Sequence, residues 1–322
     1  MIKPIKGSWF EFVHLHTPEG MYYNPACTNF TCKQWAEKVK EVADIGMEYL
    51  VLTTIAYYEH KLYDPEFARK FERGCDDPLE AVLNAADKYG VKFFISTGIF
   101  GNWQEPHKMS TDPEVAEKRL KGMGEVAEKY GHHESFYGWY HPNEAWIKGC
   151  YGDDFIAYVN SCSSEGRKLL PKSKMLIAPY GTNMVTTDDK YISQLENLDV
   201  DIIAYQDEVG VQKATVDQTP GYYEALRKAH DKAGRSALWA DVETFEFEGE
   251  VYFSALIPAE FARLEKQLAA VSPYVDNILV YIYQGIMNRP GTTAFMGHPD
   301  STKLYENYVT WLRKNYPEMV KV

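Results

Sequence analysis

Two stretches, FYGWYHPNEAW (Phe136–Trp146) and ALWADVETFE (Ala237–Glu246), each run from apolar residues into an acid, Glu144 and Glu243. Both sit inside a strand-then-helix alternation that extends to either end of the chain. Before the first stretch, TDPEVAEKRLKGMGEVAEKYG reads as helix, opened at Asp112-Pro113 and stopped at Gly131. After it, GDDFIAYVNSCSSEGRKLL is helical again, then KMLIAPY (Lys174–Tyr180) is a strand. Further out lie SWFEFVHLH from Ser8, YLVLTT (Tyr49–Thr54), KFFISTG (Lys92–Gly98), VDIIAYQDEVG and NILVYIYQG (Asn277–Gly285). Helix patterns separate them: Thr31 caps one that ends near Gly46, and Asp77-Pro78 opens another. Eight strands alternating with eight helices predict an α/β protein made of a single (β/α)8 TIM barrel over residues 1–322. The strands are near-continuous apolar runs, as expected where both faces are covered. An open doubly wound sheet would carry a glycine-rich phosphate turn after its first strand, and VHLHTPEG is not one.

Composition narrows the function. The 322 residues are 45% hydrophobic and 25% charged, an ordinary globular mixture. A net charge of -12 without long basic runs argues against nucleic acid as a partner. No apolar stretch approaches a membrane span, and MIKPIKGSWFEF lacks an apolar signal core, so a cytoplasmic protein is expected, with a secreted protein trimmed of its signal as the alternative. Cys27, Cys32, Cys75, Cys150 and Cys162 lack paired spacing and read as reduced, structural thiols. Tyrosine is abundant, 24 residues beside 7 Trp and 15 Phe, and aromatic faces stack well on the C–H faces of sugars. Core packing would use the same residues.

In a closed barrel the strand C-terminal ends converge on one face. Glu144 follows Pro142 and Asn143 at the fourth strand's end; its bland alternative is an acid favouring a helix N-terminus. Alternation turns Trp239, Asp241 and Glu243 to one side of the seventh strand, with Asp241 either supporting the site or pairing with a core cation. The sixth strand offers Tyr205, Gln206 and Asp207, the eighth Tyr283 and Gln284, and the fourth also Tyr140. The first gives Glu11, His14 and His16; the second Tyr57, Tyr58 and Glu59; the third Trp103; the fifth Tyr180 and Asn183. Two carboxylates from different strands are the minimum equipment for hydrolysing a glycosidic bond.

The Asn-Glu after strand four and the Glu at strand seven resemble clan A glycoside hydrolases. In that clan the fourth-strand Glu is the acid/base, its Asn neighbour binds the sugar 2-hydroxyl, and the seventh-strand Glu is the nucleophile. The resemblance places these roles on Glu144, Asn143 and Glu243. Four further elements resemble domain-of-unknown-function family 4434, a glycoside-hydrolase-like barrel family. They are W-x-x-x-V-K-x-x-x-D-I-G before strand two, F-Y-G-W-Y-x-P-x-E at strand four, Y-Q-D-x-V-G at strand six and W-A-D-V-E-x-F at strand seven. Asp207-Glu208 departs from that family's commoner aspartate-glycine, and Tyr283 stands near the point where clan A enzymes often place a Trp. The resemblance implies a carbohydrate partner and needs neither cofactor nor metal. Two alternatives stay open: a metal-dependent sugar isomerase or epimerase using Glu144, Asp207, Glu243 and His14 or His16, and a non-catalytic carbohydrate-binding barrel.

Overall fold

The computed structural model describes residues 1–57, 60–64, 74–144 and 146–321. Eight parallel strands form: β1 (Gly7–Phe10), β2 (Tyr49–Leu52), β3 (Lys92–Ser96), β4 (Phe136–His141), β5 (Lys174–Ile177), β6 (Ile202–Gln206), β7 (Ala237–Glu243) and β8 (Asn277–Tyr281). Each pairs with its neighbours in chain order, and β8 pairs back onto β1 at Gly7↔Leu279, so the sheet closes into a barrel. Glycine makes one close approach possible: a Cβ on Gly138 of β4 would lie 2.2 Å from the Lys174 carbonyl oxygen.

Among the described residues, eight helices of nine or more residues form the outer layer: α1 (Cys32–Asp44), α2 (Pro78–Tyr89), α3 (Pro113–Tyr130), α4 (Asp153–Leu169), α5 (Asp189–Asn197), α6 (Thr219–Ala233), α7 (Phe261–Val271) and α8 (Ser301–Asn315), beside the short helices Asn24–Cys27 and Pro106–Thr111. Their starts follow local chemistry. Thr31 and Gln34 form a reciprocal capping box on α1, and Asp77 and Asp112 cap helices whose first turn holds proline. In α2 the buried Leu79, Val82, Leu83 and Ala86 recur at helical spacing and face the sheet. No helix among the described residues is long and apolar enough to cross a membrane.

Two differences from expectation matter. The strands are shorter than their apolar runs, so Glu11, His14, Trp103 and Tyr180 stand on loops beyond the sheet and rim its C-terminal face. The cysteines are not all thiols: Cys32 and Cys75 are joined in a disulfide with a Cα–Cα distance of 4.9 Å. Residues 43 apart in sequence meet because α1 packs on α2, and Cys75 lies two residues before the α2 cap. Cys27, Cys150 and Cys162 stay as thiols. Tyr58 and Glu59 lie outside the described residues.

Candidate active site

Above the barrel mouth is a cleft of about 540 Å³, a size suited to a small ligand. Its depth is set by packing beneath it. Trp239 points inward but lies too deep, against Tyr49 at 4.9 Å and Phe94, and plugs the barrel interior. Two residues further along β7 comes Asp241, then Glu243, both lining the cleft. Tyr140 lines it too, packed edge-on at 4.6 Å against Trp9.

Glu144 and Glu243 face this one cleft. Glu144 lies well before the start of α4 at Asp153, so a helix-capping role is excluded. It keeps surface open to the cavity, but the walls crowd it. That loss of bulk water, with repulsion from Glu11 and Glu19 and against the polar pull of Gln206, raises its carboxyl to about 7. Burial pushes Glu243 well above the usual carboxylate range, and Asp207 adds like-charge repulsion. The Val211 N–H donates to Glu243 Oε2 at 2.8 Å and favours its charged form. Burial also lifts Asp241, whose Oδ1 receives no protein hydrogen bond among the described residues. No core cation pairs with it there, so the structural alternative for Asp241 fails.

Asp207 does not reach the cleft. It is buried under the β7 end, accepting from Gln267 Nε2 at 2.7 Å, the Glu243 N–H at 3.1 Å and the Val209 N–H at 3.3 Å. Arg263 donates to the Glu243 and Phe245 carbonyls, and Gln267 Nε2 also reaches the Glu243 carbonyl at 3.0 Å. This cluster holds the Glu243 backbone from below. Gly210 leaves room for the carboxylate: a Cβ there would come within 2.9 Å of Glu243 Oε2 and 2.8 Å of the Phe245 oxygen.

The opposite wall is built on β1. Glu11 Oε1 accepts from the Tyr281 hydroxyl at 2.7 Å, and Oε2 lies 2.9 Å from His14 Nδ1. Glu19 meets His14 Nε2 at 3.0 Å and His16 Nδ1 at 3.0 Å. Burial alone would lower the His14 pKa, but the two carboxylates overcome it and raise it to about 9. His14 is therefore an imidazolium clamped between two acids.

Other expectations divide. Asn143, Trp103, Tyr180, Gln206 and His16 line the cleft. Asn143 spends its amide donor on Pro106 O and Ser110 Oγ, which leaves Oδ1 without a protein partner among the described residues. Tyr57 stands behind Trp103, accepting its indole N–H at 3.0 Å. Asn183 is tied behind the wall, its amide donating to the Lys213 carbonyl at 3.1 Å. Tyr205 is a correction: Ala204 and Gln206 register with the inward-facing Trp239 and Asp241, so Tyr205 points outward into the helix layer against Tyr191 and His230. Tyr283 is another, buried with its hydroxyl on Glu41 of α1. Gln284 acts behind the wall, exchanging two hydrogen bonds with the Glu11 backbone. The cleft aromatic of β8 is Tyr281, in register with Glu243. Sequence reasoning missed it, together with Glu19, Lys213 and Tyr252; Tyr281's shared parity with Leu279, which meets Gly7 of β1, was the available signal.

Metal ligation has little foothold in the cleft. Among the described residues, the His, Cys, Asp and Glu side chains that bring three ligand atoms within 4.8 Å of one another are Glu80, His132 and His133. These sit on α2 and after α3, and include none of the cleft acids.

The chain is a closed barrel with two carboxylates, one beyond the end of β4 and one at the end of β7, facing one cleft. The match to a family model is direct: residues 5–294 fit DUF4434, a domain of unknown function, and the chain belongs to that family. None of the curated proteins compared matches it. Among solved structures it is similar to a candidate alpha-L-fucosidase from Bacteroides thetaiotaomicron VPI-5482, with 19% identity over 97% of this chain and 96% of that one and a TM-score of 0.75. It is also similar to the endo-beta-1,4-mannanase of Thermotoga petrophila (11% identity, 99% and 78% covered, TM-score 0.61). A third is the beta-galactosidase of the psychrophilic Marinomonas ef1 (10% identity, 99% and 62% covered, TM-score 0.60). At these identities the likeness is one of fold.

Proposed function

We propose that this chain is a retaining glycoside hydrolase, with Glu144 as acid/base and Glu243 as nucleophile. The observation that carries the reading is the placement of both acids on one cleft, with Glu144 raised to about 7 and so able to hold a proton near neutrality. The fucosidase, mannanase and galactosidase descriptions of the structural neighbours support a glycoside as the substrate class.

Glu144 protonates the glycosidic oxygen as a Glu243 oxygen bonds to the anomeric carbon and the bond to the leaving group breaks. Val211 occupies Oε2, so Oε1 is the attacking atom. Glu144, now a carboxylate, takes a proton from water, whose oxygen displaces Glu243 and releases the sugar. The productive form has Glu144 protonated and Glu243 ionised, and the interacting acids titrate as a set. Asn143, Gln206 and Asp241 supply the polar lining for sugar hydroxyls, while Trp103 and Tyr180 supply apolar faces. Asp207, Gln267 and Arg263 position Glu243 through its backbone. The Cys32–Cys75 bridge fits an oxidising compartment better than the cytosolic setting expected from reduced thiols.

The test is turnover of a panel of aryl glycosides, with NMR of the first-formed anomer. Retention of configuration, abolished by Glu144→Gln and by Glu243→Gln, is the expected result. Inversion would overturn the nucleophile role, and no turnover on any member would leave a carbohydrate-binding barrel in its place.

A further inference from the structure

One side chain of the cleft wall, Lys213, has no part in that mechanism. Lys213 lines the cleft, with its ammonium 3.9 Å from the Trp146 ring centroid and 4.2 Å from that of Tyr180. Tyr252 stands 5.9 Å away and shares a short hydroxyl contact of 2.5 Å with Tyr180. Cation–π contacts hold a lysine in place without neutralising it. Among the described residues no carboxylate forms an ion pair with Lys213. Its nearest influences are Glu208, which is committed to the Gly181 N–H at 2.8 Å and the Asn183 N–H at 3.3 Å, and Glu243.

The backbone of this wall is unusual. Non-glycine residues at positive φ among the described residues are Glu208 (56°), Gln212 (59°) and Tyr252 (66°). All three belong to this wall, and Gln212 adjoins Lys213. Such conformations are strained for residues with a side chain and cluster at ligand clamps. Val211 of the same loop donates to Glu243, so the lysine is fixed relative to the reacting carbon.

The other cation of the cleft, His14, is already matched by Glu11 and Glu19. Lys213 is thus a positive charge without an ion-pair partner among the described residues, set among aromatic faces beside the β7 acid. We propose that Lys213, framed by Tyr180, Tyr252 and Trp146, is a subsite for the carboxylate of a uronic acid residue, one face of whose ring stacks on the aromatic wall. This deepens the hydrolase reading by naming the substrate class of the same cleft, but the subsite can be tested without turnover.

The experiment measures binding of free glucuronate, galacturonate, glucose, galactose and a glucose sulfate to the wild-type protein by titration NMR at low and high salt. A hydrogen-bonded ion pair predicts that a uronate binds roughly 10- to 100-fold more tightly than its neutral parent. That preference should shrink with salt and vanish in Lys213→Met. Lys213→Arg, keeping the charge, should retain most of it, so a misfolded methionine variant would not remove the test. Equal affinities for uronate and parent sugar, no detectable uronate binding, a preference that survives Lys213→Met, or tighter binding of the sulfate would each overturn the proposal. Turnover of neutral aryl glycosides without uronate preference sinks this inference alone. Lysine-dependent uronate binding with no turnover of any aryl glycoside sinks the hydrolase reading alone.

Discussion

The two walls of the cleft handle charge in opposite ways. On the β1 side, His14 lies between Glu11 and Glu19, and Tyr281 and Gln284 brace Glu11, so acid and base neutralise each other within the protein. On the β6–β7 side, Asp207, Asp241 and Glu243 are buried close together, and all three carboxyls are raised even with Arg263 and Lys213 nearby. Burial acts on both walls; pairing decides whether a site is settled or reactive. The first wall is scaffolding for the pocket, and the second keeps its acids in a state from which protons readily move.

Breaking the reactive side should have the largest effect. Glu243→Gln and Glu144→Gln should each reduce turnover of a competent aryl glycoside by at least about 10²–10⁴-fold, the range of a single acid/base contribution. Loss within tenfold for both would end the catalytic assignment. Next comes Gly210→Ala, whose methyl would crowd Glu243 Oε2 and the Phe245 carbonyl. A displacement of the nucleophile approaching 1 Å costs about 10²-fold, so kcat should fall by that order while circular dichroism shows the fold retained and the unfolding midpoint drops only as the Phe245 carbonyl gives way. Undiminished kcat would show that Glu243 need not stay where Val211 holds it.

The settled side should show in stability. The His14 pKa is higher folded, about 9, than its ordinary 6.5, so the native state holds the proton more tightly. Its contribution is complete below pH 6.5 and disappears as pH rises through 9, amounting to about 3 kcal/mol at 1.36 kcal/mol per unit. His14→Gln should flatten denaturant-measured stability between those values, and an unaltered slope would contradict the clamp. The smallest effect belongs to Glu144, raised from 4.5 to about 7, where the native state again holds the proton more tightly. Native stability therefore declines as pH rises from 4.5 to 7, and Glu144→Gln should soften that decline in thermal melts. A steeper decline would refute the crowding of Glu144.

Much of this was legible in the chain. The eight strands and eight helices follow from apolar runs, Asp-Pro openings and glycine stops, all local signals. Glu144 and Glu243 were legible because strand ends in a closed barrel must share a face. Depth was harder to read. Trp239, Asp241 and Glu243 share parity, yet only the height of the barrel separates a plug from a cleft residue. Tyr205 and Tyr283 were misplaced by counting polar residues near strand ends without applying alternation or noticing where the strand stops. The disulfide and the support of Glu243 by Arg263 and Gln267 join residues distant in sequence, which no local pattern reports.

After Glu243 the chain folds into a ribbon, Phe245–Phe247 against Leu256–Pro258, whose tip carries Tyr252. The Leu256 N–H donates to the Glu19 carbonyl at 3.1 Å, and Tyr22 donates to Glu248 at 2.7 Å, so the ribbon spans from one wall to the other. It lies wholly above the sheet and takes no place in the barrel's strand order. Phe245, Phe247 and Leu256 root the ribbon in the core, so its exposed tip around residues 248–254 is the part whose length and composition can vary, changing which ligands the enclosure admits, without touching the cylinder beneath.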